Sequence, residues 1–513
     1  MPPVRSVPLP TECLRMIFQN ISNDIHCLHT CILVNRSWCR NAMSYLWARP
    51  LSTASKHYKL IQTYISCLED VDKLLMDEKV VVLPDLPPPL FDYSSYLTEF
   101  RYHRLKWAAE LWIKIKDELS SSSHNPKAFE ITKALSNLLM RKCSKLDTFS
   151  IYWEDMPDYT IFSNSPYLSR INKFSCLFSD EYTYRYRESS RNTLDLLQFL
   201  PTVCNDIQSL DFRQCDSTAV NRAMKDIILA IPNLQDFKYY GSKDLIYREE
   251  IILPALKSQT NNLSSLFLCR VLINDAIYEI LSGCVNLETL VISDCKCSFS
   301  LISSTKTKFN LKKLHLEFFV SKSIVKSLIQ KFANDNLRSL YLNTLFKNTY
   351  QTILKICSNI VEFQCNELKF HESSNLFNLL DNLNFLEKLT LTDMVFGDDI
   401  GTDQFYNSLG THLPPTLKYL NIGQLYKPKK IFGIDQFHNL LKNCKASLET
   451  IIINQPIEYN DSDFEQIINY TKKTDSLRFL GLDCLRNNHR QRVKELREVF
   501  GVFIIPKYDL KNW

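Results

Sequence analysis

The chain has 513 residues, 45% of them hydrophobic and 23% charged, and 61 Lys and Arg against 56 Asp and Glu leave a formal net charge of +5. So small an excess gives no expectation of a nucleic-acid or anionic-membrane partner. Only 9 glycines are present. None is spaced as GxGxxG or GxxxxGK and no GxSxG occurs, which excludes those nucleotide loops and the nucleophile elbow. The 17 cysteines are scattered, with no Cys-x-x-Cys. The N-terminus carries no apolar run of the signal-peptide kind, and no 18-residue apolar stretch occurs. These features predict a soluble chain of the cytoplasm or nucleus with reduced thiols, and no cofactor is expected.

In chain order, Leu14, Ile17, Phe18 and Ile21 share one helical face behind Leu9-Pro10, where the missing N–H of proline costs nothing. Leu28, Cys31 and the stretch Val34-Asn35-Arg36 predict a second short helix, and Trp38 through Trp47 a third. A bundle of this size cannot bury so many large side chains alone, so it is expected to pack on a partner or to cap the rest of the chain. His26, Cys27, His29, Cys31 and Cys39 lie close in sequence. Cys27 and Cys31 share a helical face that His29 leaves, so four convergent zinc ligands are not expected, and no metal residue is assigned.

Residues 51–145 read as a helical linker that packs against and caps the first of the repeated units that follow. Tyr58–Leu68 is amphipathic at helical spacing, Val81–Pro89 is extended and stiff, and Tyr96–Leu119 is helical again, before a loop at Ser120–Pro126.

From residue 146 to 485 the frame LxxLxL recurs. It is sharpest at Leu263/Leu266/Leu268, Leu287/Leu290/Ile292, Leu311/Leu314/Leu316, Leu337/Leu340/Leu342, Leu386/Leu389/Leu391 and Leu417/Leu420/Ile422. Looser copies begin at Leu146, Ile207, Leu234, Ile360, Leu448 and Leu477, with a further one at Leu168/Ile171/Phe174. The ninth position stays apolar at Val271, Cys295, Phe319, Leu345, Leu368, Met394, Leu425 and Leu485. Steps between neighbouring copies from Leu263 to Leu386 are 23 to 26 residues, the spacing of leucine-rich repeats, of which about 12–13 irregular copies are expected. Each copy is read as a short strand with inward leucines followed by a helix such as Ser321–Phe332, and one such unit cannot bury its apolar face alone. The alternative is a set of unrelated half-buried strands. The fold class is therefore α/β: a three-helix N-terminus (1–50), the linker, and a curved solenoid (horseshoe) with parallel strands on its concave face. Residues 486–513 form a C-terminal cap, helical at Arg490–Val499 and then a last strand near Phe500–Ile505.

The outward residues of successive strands form a row: Asp211, Lys238, Phe267, Val291, His315, Tyr341, Gln364, Thr390, Asn421, Ile452 and Gly481. It has no Lys/Arg run interleaved with aromatics, which disfavours a nucleic-acid track. Phe267, Val291, His315 and Tyr341 are the candidate substrate-binding residues, with Phe267, Val291 and Tyr341 expected as one apolar strip and His315 between them. His371-Glu372 lacks the second histidine of a metalloprotease helix, Asn375 standing in its place, and no catalytic residue is assigned.

The order Leu9-Pro10-x-Glu12-x-Leu14-x-x-Ile17-Phe18, then Cys31-x-Leu33-Val34-Asn35-Arg36-x-Trp38-Cys39-x-x-Ala42, then Leu46-Trp47-x-x-Pro50 resembles the F-box. With the repeats behind it, the chain is similar to F-box/leucine-rich-repeat proteins. The resemblance implies the substrate-recognition subunit of an SCF E3 ubiquitin ligase, itself non-catalytic. The F-box would bind a Skp1-like adaptor, and through it a cullin–RING ligase, while the repeats hold a protein substrate. Carried over by position, the adaptor-binding set is Leu9, Pro10, Leu14, Ile17, Phe18, Ile21, Val34, Trp38 and Trp47. Ile21 departs from the usual leucine, and the spacer Ser22–Cys27 is short. The alternative function is a repeat scaffold that binds protein outside any ubiquitin ligase.

Overall fold

The computed structural model describes residues 9–52, 57–77, 80–117, 125–152, 156, 158–163, 165–177, 189–213, 217–241, 251–298, 309–317, 322–393, 399–423, 434–454, 461–482 and 490–505. The chain divides into two compact units, 1–262 and 263–513.

The first unit opens with α1 (Thr11–Asn20), α2 (Ile25–Ile32) and α3 (Arg36–Leu46). Their starts are set locally. Pro10 stands extended before α1, the Asp24 carboxylate accepts from the Cys27 N–H at 2.9 Å, and the Asn35 side chain accepts from the Trp38 N–H at 2.9 Å. The Asp24 and Asn35 caps each satisfy an otherwise unpaired helix donor. The expected second helix is thereby corrected: Val34-Asn35-Arg36 does not belong to it, because the Asn35 side chain competes for the backbone and begins α3 instead. Leu14, Phe18, Leu28 and Ala42 close the bundle interior, with Ile21, Cys31, Ile32, Trp38, Tyr45 and Leu46 packed around them.

The linker contributes α4 (His57–Ser66), α5 (Asp70–Lys73), α6 (Tyr102–Asp117) and α7 (Pro126–Lys142). Val81–Pro89 has no regular structure, as expected. Two expectations fail here. The helix foreseen from Tyr96 starts only at Tyr102, because Glu99–Arg101 forms a strand, β1. Asn125 and Pro126, expected to lie in a loop, cap and begin α7, the Asn125 side chain accepting from the Lys127 N–H at 3.0 Å. The serines of the foreseen loop, Ser120–Ser123, and His124 lie outside the described residues.

Four strands come after β1: β2 (Thr148–Tyr152), β3 (Lys173–Leu177), β4 (Ser209–Arg213) and β5 (Asp236–Tyr240). They pair parallel in chain order, placing Phe100, Phe149, Phe174, Leu210 and Phe237 in one inward row. Phe100, Phe149 and Phe174 stack at centroid separations of 5.7 and 5.9 Å. The copy at Leu168/Ile171/Phe174 is corrected: Phe149 and Ile151 stand opposite Phe174 and Cys176, so the frame is Ile171/Phe174/Cys176.

The second unit holds β6 (Ser265–Cys269), β7 (Leu272–Ile273), β8 (Thr289–Ser293), β9 (Lys296–Cys297), β10 (Lys313–Glu317), β11 (Ser339–Thr344), β12 (Glu362–Glu367) and β13 (Lys388–Thr392). It ends with β14 (Tyr419–Gly423), β15 (Thr450–Asn454), β16 (Phe479–Leu482) and β17 (Phe503–Ile505). Apart from the small β7–β9 pair, they form a parallel sheet in chain order, with helices between most successive strands. Leu266, Leu290, Leu314, Leu340, Phe363, Leu389, Leu420, Ile451 and Leu480 make its inward row, all buried. A second periodic device ties the repeats together. The Glu288 carbonyl accepts from the Lys312 and Lys313 N–H groups, that of Lys312 from Arg338 and Ser339, and that of Arg338 from Val361 and Glu362. The ninth-position residues Val271, Cys295, Leu345 and Leu368 are buried. Phe319, Met394, Leu425 and Leu485 lie outside the described residues. The C-terminal helix is Arg490–Glu498, and β17 pairs with β16 as the last strand. The rest of the expected cap, 486–489 and 506–513, lies outside the described residues.

Candidate functional site

The helix bundle divides its apolar residues by helical spacing. Leu14, Phe18 and Ile21 face inward at i, i+4 and i+7, leaving Cys13, Met16 and Ile17 together on another face of α1. Leu9, Met16, Ile17, Leu33 and Val34 are exposed, with Leu33 at 83% and Ile17 the least so at 38%. Pro10 is exposed beside Leu9. Of the nine residues assigned to adaptor binding, Leu9, Pro10, Ile17 and Val34 therefore stand at the surface. Leu14 and Phe18 are interior, and Ile21 and Trp38 pack against them, the Phe18 and Trp38 rings meeting edge-on at 5.5 Å. Trp47 meets Tyr64 of α4 at 5.4 Å and Tyr93 at 4.4 Å, so it joins the bundle to the linker. These interior residues influence any contact only through the shape they hold. Met16 and Leu33 were missed. Met16 emerges on extending the α1 face by one position, whereas Leu33 becomes visible only once Asn35 ends the second helix.

In the second unit, Phe267, Val291, His315 and Tyr341 stand in register on β6, β8, β10 and β11, as expected, and all four are half-buried. They do not make an apolar strip. The Tyr341 hydroxyl donates to Glu317 Oε1 at 3.3 Å and accepts from the Asn366 amide. Ser293 donates to Glu317 Oε2 at 3.1 Å, and Asn366 Oδ1 accepts from Thr392 at 2.7 Å and Gln364 at 3.1 Å. His315 Nε2 lies 3.3 Å from Glu317 Oε2. Burial opposes the Glu317 charge, but His315 and the Ser293 and Tyr341 donors outweigh it and hold the carboxyl below its ordinary range. The strip is thus half aromatic and half a polar network running from β8 to β13.

A third feature lies in the first unit. Two outward register rows run across the sheet, Glu99/Thr148/Lys173/Ser209 from β1 to β4 and Arg101/Ser150/Ser175/Asp211/Lys238 from β1 to β5. Most of these residues line a cleft of about 390 Å³, whose remaining lining comes from the bundle: Ser22, Asn23 and Ile25 at the start of α2, and Tyr45, Leu46, Arg49 and Ser52 at the end of α3 and just beyond it. Arg101 pairs with Glu99 at 2.5 Å. Burial pushes the Asp211 carboxyl up to about 6, with Lys238 and Arg213 pulling the other way and Asp236 adding to the rise. Asp211 and Lys238 belong to the outward row read from sequence, and Leu46 and the spacer Ser22–Cys27 to the F-box comparison. The other cleft residues were not singled out.

His26, Cys27, His29, Cys31 and Cys39 do not converge, and among the described residues no group of three or more His, Cys, Asp or Glu is placed to hold a metal ion. The described cysteines are free thiols. Among the described residues no helix is long and apolar enough to cross a membrane.

No protein-family model matches the chain, and no curated protein matches its sequence. Among solved structures it is similar to a TLR13–ssRNA13 complex, at 14% identity and a TM-score of 0.30 over 72% of this chain and 48% of that one. It therefore spans about half of that chain. It is also similar to an internalin (inlF) from Listeria monocytogenes, at 16% identity and a TM-score of 0.28, over 67% of this chain and 75% of the internalin. Alignments this distant add nothing to what the register shows: inward leucines opposite inward leucines, strand after parallel strand. The fold is of the leucine-rich-repeat type. In leucine-rich repeats the alternation that buries one row of side chains turns the next row outward, which is why His315, Tyr341, Asp211 and Lys238 stand where they do.

Proposed function

We propose that the chain is the substrate-recognition subunit of an SCF-type E3 ubiquitin ligase. The helix bundle docks a Skp1-like adaptor, which joins a cullin–RING ligase, and the leucine-rich repeats hold a protein substrate. The observation that carries this reading is the bundle's composition: an interior already closed by Leu14, Phe18, Leu28 and Ala42, and Leu9, Met16, Ile17, Leu33 and Val34 left in water. Met16 and Ile17 adjoin on α1 and Leu33 and Val34 adjoin at the end of α2; exposed apolar side chains set side by side mark an interaction site, and the F-box resemblance of residues 9–50 names the partner. The chain contributes recognition and no chemistry. The coarser form of the reading is a repeat scaffold for protein interaction. The charge balance supports neither a nucleic-acid nor a membrane partner, and the free thiols support a reducing compartment, the cytoplasm or nucleus.

Affinity purification of the full chain from cells, followed by mass spectrometry, tests it. Adaptor and cullin are expected together, and both are lost when Ile17 and Val34 are changed to Asp. A wild-type chain that brings down protein partners but neither adaptor nor cullin reduces the reading to the scaffold.

A further inference from the structure

The cleft beside the bundle holds more positive charge than its neighbours neutralise. Arg101 is tied to Glu99 at 2.5 Å. Arg49 and Lys173 are exposed and carry no ion pair among the described residues, and Lys238 stands in register beside Asp211. These cations come from α3's end, β3 and β5, elements far apart in the chain, and they line one space of about 390 Å³. That is the size of a small-molecule site, whereas most such sites are lined chiefly by apolar groups. A guanidinium offers the forked donors that fit phosphoryl oxygens, and lysines add point charges.

Asp211 narrows the choice further. Its Oδ1 is buried with no hydrogen-bond partner among the described residues. A simple anion would leave that acceptor unmet and be repelled by it, while a ligand that also carries a hydroxyl would satisfy it. Ser175, in register between Ser150 and Asp211, adds a neutral hydroxyl to the same wall.

We propose that this cleft binds a small phosphomonoester whose carbon skeleton bears a hydroxyl, the phosphoryl group resting on Arg49, Lys173 and Lys238 and the hydroxyl donating to Asp211. The proposal does not rest on the adaptor-docking reading.

Isothermal titration of the full chain with glucose 6-phosphate, glucose and inorganic phosphate tests it. Glucose 6-phosphate is expected to bind more tightly than phosphate, and glucose not at all. Lys173→Ala, at an exposed position where the fold is indifferent, is expected to weaken glucose 6-phosphate at least about tenfold. Asp211→Ala is expected to erase the preference for glucose 6-phosphate over phosphate. No binding of either phosphate, or equal glucose 6-phosphate affinity in wild type and Lys173→Ala, overturns the site. Phosphate binding as tightly as glucose 6-phosphate in the wild type overturns the contact to Asp211.

Discussion

The rings of His315 and Tyr341, opposite each other on β10 and β11, lie with their centroids 3.5 Å apart and 34° between their planes. The same tyrosine bridges Glu317 and Asn366 through its hydroxyl. Tyr341→Phe keeps the ring and removes the bridge, so a loss of about 1 kcal/mol in denaturant unfolding is expected. Tyr341→Ala removes ring and bridge together and costs more, since aromatic pairs add about 0.5–1.5 kcal/mol beyond burial. Equal stability of the two variants would show that the ring pair contributes nothing. A substrate-capture experiment on this face should therefore use Phe267→Ala, which leaves the Tyr341 hydroxyl bridge in place.

Asp211 makes a pH prediction of the opposite sign to the usual carboxylate. Its folded-state value is raised to about 6 from an unfolded 3.8. The protonated form is the one the fold favours, so stability gained below pH 4 is lost as pH rises toward 6, by at most about 3 kcal/mol. Asp211→Asn is expected to raise the melting temperature at pH 7 and to flatten its pH dependence between 4 and 6. Parallel curves for wild type and variant would mean the carboxyl is solvated.

The strand register is tested at a single repeat. Leu314 is fully buried and Lys313, the preceding residue on β10, is exposed. Leu314→Ala is expected to destabilise by about 2–5 kcal/mol through lost burial and a cavity, while Lys313→Ala stays within about 0.5 kcal/mol. Comparable shifts in thermal melts would contradict the alternation.

How far the fold was legible in the sequence depends on which side chains fill the inward row. In the second unit that row is mostly leucine and isoleucine, from Leu266 to Leu480, and the frame is read directly. In the first unit Phe100, Phe149, Phe174 and Phe237 take the same positions, burying their rings equally well while blurring the leucine pattern. β1 is three residues long with one inward side chain, too short for a period of two to declare itself. The four exposed members of the bundle set were legible from the F-box resemblance, but sequence alone did not divide interior Leu14 and Phe18 from exposed Ile17. The cleft was the least legible feature: Lys173 and Lys238 are brought near each other by strand register and Arg49 joins them through the bundle beside the first strands, and no local motif links the three.

The claim that the bundle is an adaptor-docking module is tested most directly by titrating purified Skp1-like adaptor into the full chain and into its Ile17→Asp variant. Ile17 is 38% exposed and outside the bundle interior, so the variant is expected to melt as the wild type does. The wild type is expected to bind, and the variant at least about thirtyfold more weakly, the loss that about 2 kcal/mol at an interface hot spot produces. A wild-type chain that gives no binding signal, or a folded variant that binds as tightly as the wild type, would contradict it.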